Sequence, residues 1–186
     1  MPFFKSMTDN AGPPAIFNLY PELYRPWSEM SQTLMNGPSP LSQGERELIL
    51  AFTAGAAGCK FVFVAHAEVA HEWGFEDGVV DKLLEDLASA PVEPKLKPLL
   101  AFVRKLVTAS GSMNQSDADA VFAAGWDEKA LHDAVAVTAR MSFMQRLAEG
   151  FGFVPLSKEV AKEHAHRRVK HGYVNMYRAF AKPTPG

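Results

Sequence analysis

Residues 41–66 read Leu-Ser-Gln-Gly-Glu-Arg-Glu-Leu-Ile-Leu-Ala-Phe-Thr-Ala-Gly-Ala-Ala-Gly-Cys-Lys-Phe-Val-Phe-Val-Ala-His, and this stretch decides the fold. Ser42 and Glu45 have the spacing of a capping box. The serine accepts from an early backbone N–H and the glutamate reaches back, so a helix starts there. It runs through Leu48, Ile49 and Phe52 into the small residues Thr53 to Ala57, which let a neighbouring helix come close. Gly58 offers a break. A second helix is expected from about Cys59 to Trp73, ending at Gly74, and the pair forms an antiparallel hairpin.

Outward from the hairpin the same period continues. Residues 77–87, 95–110 and 116–124 have helical spacing and are separated by Pro91, Pro94, Gly111 and Gly125. A long helix is expected over Asp127 to Glu149, closed by Gly150 and Gly152, and a last one from Ser157 to about Ala181, with a frayed tail from Pro183. Before the hairpin, residues 1–40 are dense in proline and glycine, with short helices expected over Phe17–Tyr24 and Trp27–Met35. Phe17, Leu19, Tyr20, Leu23, Tyr24, Trp27 and Leu34 would be costly to expose, so this arm is expected to pack on the body. No segment alternates with period two, so the fold class is all-α, without a sheet.

The chain of 186 residues is long enough for one well-buried core and too short for two independent enzymes, which makes 1–186 one domain. With 47% hydrophobic and 22% charged residues it has ordinary globular usage. A formal net charge of −2 gives no general attraction to nucleic acid or to an anionic membrane. The single cysteine rules out an internal disulfide and fits a reducing compartment. Residues 1–6 lack the features of a signal peptide, and no apolar run spans a bilayer, so a cytoplasmic location is expected.

Three residues of the hairpin can carry chemistry. Cys59 follows Gly58 at an expected helix start, where free N–H groups and the helix dipole favour a thiolate. His66 is seven residues on, about two helical turns, and so on the same face. Glu47 is carried back by the hairpin to orient His66 or relay a proton. The same residues also fit a structural role: Cys59 beside Phe61 and Phe63 as a small core residue, His66 satisfying a core hydrogen bond, Glu47 as a solvated position. Of the other histidines, His164, His166 and His171 lie with Arg167, Arg168 and Lys170 in a basic run read as a solvated or subunit-contacting face. His164 and His166 point apart on a helix and His66 and His71 align poorly, so neither a metal nor another cofactor is expected. His132 would face the site if the two halves of the chain pair.

The stretch 41–50 followed by Gly58-Cys59-Lys-Phe-Val-Phe-Val-Ala-His66 resembles the core motif of the alkylhydroperoxidase D (AhpD)-like, or carboxymuconolactone decarboxylase, family, and within it the peroxidase-related proteins. That pattern is a glutamate and then Cys-x-x-Cys-x-x-x-His, which Glu47, Cys59 and His66 match in three places. Residues 133–152, with Phe143-Met-Gln-Arg146, are similar to a later helix of the family, so the likeness runs from about residue 10 to 155. The family's second cysteine, the one thought to attack peroxide, is Val62 here.

The resemblance implies an oligomeric helical oxidoreductase, a homotrimer or homohexamer. It makes Cys59 the redox thiol of a one-cysteine peroxidase, with His66 as proton shuttle and Glu47 as its relay. An external thiol reductant would then be needed, because valine cannot close a disulfide. The decarboxylase branch of the family implies a different reading, in which His66 and Glu47 perform acid–base chemistry on a small organic acid. A third reading is a non-catalytic oligomeric binding protein.

Overall fold

The computed structural model describes residues 2–177 and 180. Among them there are nine α-helices, one short 3₁₀ turn and no strand, as the periodicity requires. The helices are α1 (Pro13–Leu19), α2 (Pro21–Asn36), α3 (Gln43–Ala56), α4 (Lys60–Glu72), α5 (Val79–Glu85), α6 (Leu96–Thr108), α7 (Gln115–Ala123), α8 (Glu128–Gly150) and α9 (Lys158–His171).

The hairpin α3–α4 is the centre of the molecule. Ser42 Oγ accepts from the Glu45 N–H while the Glu45 carboxylate accepts from the Ser42 N–H, so the capping box is complete. At the far end Gly58 adopts φ +75°. The Cys59 N–H bonds back to the Ala54 carbonyl and the Gly58 N–H to that of Gly55, the pattern of a Schellman C-cap. The two helices close on each other at Gly44, where a Cβ would sit 3.1 Å from the Cβ of Trp73. Leu48, Ile49, Leu50, Ala51, Phe52 and Ala54 are sealed, so α3 is covered on every side.

Around this hairpin, α9 lies along α4, α8 crosses α3 and α6 packs on both α3 and α8. In the arm Ile16, Phe17, Tyr24 and Met35 are buried, whereas Leu19, Tyr20 and Leu23, expected to be covered, are exposed because they lie on the outer side of these short helices. Its helices differ from expectation, because α2 begins at Pro21, a favoured first position, and stays helical through Pro26. That proline forfeits one main-chain bond to the carbonyl four residues back. Arg46, a buried cation that the sequence reading passed over, donates to the Leu34 and Gly37 carbonyls and so fastens the end of α2 to α3.

The last helix is shorter than expected. It stops at His171, and Gly172 at φ +69° turns the chain, where a Cβ would collide with Gln32 Oε1. The same Gln32 oxygen accepts from the Tyr173 N–H at 2.6 Å, so the turn is pinned to α2. The tail from Pro183 lies outside the described residues. No helix among the described residues is long and apolar enough to cross a membrane.

Candidate functional site

The antiparallel hairpin brings Glu47 on α3 opposite His66 on α4, with His66 Nδ1 2.7 Å from Glu47 Oε2. Both are buried, at 2% and 6% exposure. The other carboxylate oxygen, Glu47 Oε1, accepts from the Tyr173 hydroxyl at 2.5 Å, a partner 126 residues away that is itself sealed. Burial pushes the Glu47 carboxyl up, but the contacts with His66, Arg168 and Tyr173 outweigh it and hold the group below the usual carboxylate range. Burial also pushes the Tyr173 phenol up and pulls His66 down to about 4, despite the attraction of Glu47. Near neutral pH the set is therefore a carboxylate, a phenol and a neutral imidazole. Since the carboxylate only accepts, His66 carries its proton on Nδ1 and its lone pair on Nε2.

Nε2 makes no hydrogen bond among the described residues, and His66 lines a cavity of about 750 Å³. Residues 8 and 10–15 of the arm and residues 154–157 form two of its walls, and α4 contributes Phe61, Val62 and Ala65. Trp27 from α2, Arg140 and Met144 from α8, and His164 and Arg168 from α9 complete it. Val62, at the place of the family's second cysteine, therefore faces this space.

Cys59 does not share it. The thiol is 1% exposed, belongs to the main apolar core and is absent from the cavity wall. It makes no hydrogen bond with His66 or Glu47. The expectation of a stabilised thiolate fails for two reasons. Cys59 precedes the first turn of α4, at φ −83° and ψ 85°, so the helical register that would align it with His66 does not reach it. Burial then pushes the thiol up, and the nearby Val62 and Phe61 N–H groups do not offset it.

Two residues of the basic run on α9 also differ from expectation: Arg168 and His164 turn inward to the cavity, while His166 pairs with Glu72 on the surface. His132 is exposed and contacts Asp133, away from the site. Sequence reasoning did not find Tyr173 or Arg140. The signal for Tyr173 was the basic last turn Arg168, Lys170, His171 followed by Gly172, which marks a helix end and a sharp turn. Arg140 gives no such signal, because its place in the middle of α8 looks like any exposed helical arginine.

No family model matches the chain, and no curated protein matches it. Solved structures do. An uncharacterized peroxidase-related protein from Ralstonia eutropha JMP134, described as an alkylhydroperoxidase AhpD core, superposes with a TM-score of 0.71 at 25% identity, over 79% of this chain and 78% of that one. An uncharacterized peroxidase-related protein from Silicibacter sp. TM1040 gives 0.68 at 23% identity, over 74% and 72%.

Proposed function

We propose that this chain, AhpD-like in its fold, is an acid–base enzyme in which His66 moves a proton on a small molecule held in the cavity and Cys59 takes no part. The observation that carries this reading is the orientation of the imidazole. Its Nδ1–H is committed to the buried Glu47 carboxylate, Tyr173 holds that carboxylate from behind, and Nε2 is left with a free lone pair at the cavity wall. This is the arrangement a general base needs, with a fixed tautomer and a negative group to stabilise the imidazolium.

In the enolisation that such acid–base chemistry begins with, a C–H bond beside a carbonyl breaks, its proton passes to His66 Nε2, and the electron pair moves to the carbonyl oxygen. The same nitrogen then returns the proton. A one-cysteine peroxidase would instead need a thiolate that peroxide can reach. The burial of Cys59 and the valine at 62 weigh against it. Assembly into homotrimers or homohexamers belongs to the same reading, and the exposed Leu19, Tyr20, Leu23 and Met30 on the arm support it.

The experiment follows deuterium uptake from D₂O by NMR over a panel of small carbonyl compounds. In parallel, peroxide consumption is measured with dithiothreitol as reductant. Exchange should fall by roughly 10²-fold or more in His66→Gln and stay unchanged in Cys59→Ser. Peroxide consumption that disappears in Cys59→Ser, without any exchange activity, would overturn the reading.

A further inference from the structure

Among the described residues, the cavity beside His66 holds more positive charge than its neighbours neutralise. Arg140 is 4% exposed, yet among the described residues its guanidinium donates a single hydrogen bond, from Nε to Ser31 Oγ at 3.1 Å. Its Nη1 is sealed without a partner, and Nη2 makes no bond among the described residues. Among the described residues Arg168 donates only to the Tyr177 hydroxyl, at 3.4 Å, and its Nη1 is likewise sealed and unpaired. Neither arginine forms a salt bridge among the described residues, and both line the cavity. Each guanidinium packs on the Tyr173 ring, Arg140 at 4.5 Å and Arg168 at 4.3 Å from its centroid, and Arg140 also lies over the Trp27 ring.

The charges nearby do not balance. Glu47 supplies one negative charge, already shared between His66 and Tyr173, against two guanidinium cations that stay ionised at any physiological pH. A buried cation with unused N–H groups is costly, and an anion that accepts from those groups relieves the cost. The indole of Trp27, also on the cavity wall, adds another sealed and unpaired N–H. Phe61, Val62, Met144, Leu156 and Val160 give the lining an apolar stretch, beside the polar Thr8, Asn10, Asn18, Ser157 and His164.

We propose that Arg140 and Arg168 form the anion-recognition site of this cavity, and that its ligand is an organic monocarboxylate with an apolar body. The carboxylate accepts from guanidinium N–H groups that are not sealed, Arg140 Nη2 first, and its planar two-oxygen head matches a guanidinium edge. One surplus positive charge suits a monoanion better than a dianionic phosphate. The apolar body fills the space between the arm and α4, which places its reactive carbons beside His66. The inference deepens the acid–base reading, but it is tested by binding alone.

The test is calorimetric titration of the full chain with octanoate, octanamide and octyl phosphate, three probes that share one alkyl body. Octanoate should bind roughly tenfold or more tightly than octanamide, and octyl phosphate should bind no more tightly than octanoate. In Arg168→Gln, checked for native helicity by circular dichroism, the preference for octanoate over octanamide should fall by roughly tenfold. Equal binding of acid and amide by the unaltered protein, no binding of octanoate, or preference for the phosphate would each overturn the proposal without use of any variant. Such a result would leave the proton-transfer chemistry of His66 standing. Loss of that chemistry with octanoate binding intact would do the reverse.

Discussion

Acidification tests the buried state of His66 directly. In the unfolded chain this imidazole titrates near 6.5, whereas in the folded protein burial pulls it down to about 4. A group whose folded value is depressed takes up its proton first in the unfolded state. Its full contribution to stability is therefore present above pH 6.5 and is lost as the pH falls towards 4. From pH 7.5 to pH 5 those two values give a loss of about 2 kcal/mol from this residue alone. For a chain of this size that corresponds to a fall in midpoint of roughly 4–8 °C.

The Glu47 carboxylate contributes nothing within this window, because its stabilisation is lost only as the pH falls below the unfolded value of 4.5 towards its depressed folded one. His164 is also lowered by burial and adds a loss of the same sign, so the assay compares two proteins. Urea unfolding is followed by tryptophan fluorescence at pH 7.5 and pH 5 for the unaltered chain and for His66→Gln, which cannot titrate. The difference between the two losses should be about 2 kcal/mol. Equal losses would mean that His66 is solvated in the native state, and the argument for a fixed, neutral general base would fall with it.

The core position of Cys59 predicts that Ellman's reagent reacts with the native protein only as fast as it unfolds, whereas the urea-unfolded chain reacts at once. Absorbance at 412 nm in and out of urea reads both. Gly172→Ala combines a left-handed φ of +69° with a collision against Gln32 and should destabilise by about 1–3 kcal/mol, measured by urea unfolding. It should also displace Tyr173 from Glu47, which a tyrosine ring resonance in the NMR spectrum would report.

What the sequence determined by itself is local. The capping box at Ser42 and Glu45, the glycine at 58 and the apolar period of 3.6 specify helices over residues 43–72 without help from distant parts of the chain. Glu47 and His66 were legible as a pair because one tight turn joins their two helices, and an antiparallel hairpin has few other ways to align them. Burial and convergence were left to the tertiary structure. Whether Cys59 is a thiolate or an inert thiol depends on how many neighbours exclude water from it, and those come from helices remote in sequence. Tyr173 reaches Glu47 across 126 residues, and Arg140 and Arg168 each reach its ring, from two different helices. Spacing along a chain carries no record of such meetings, because they are fixed only when the helices pack.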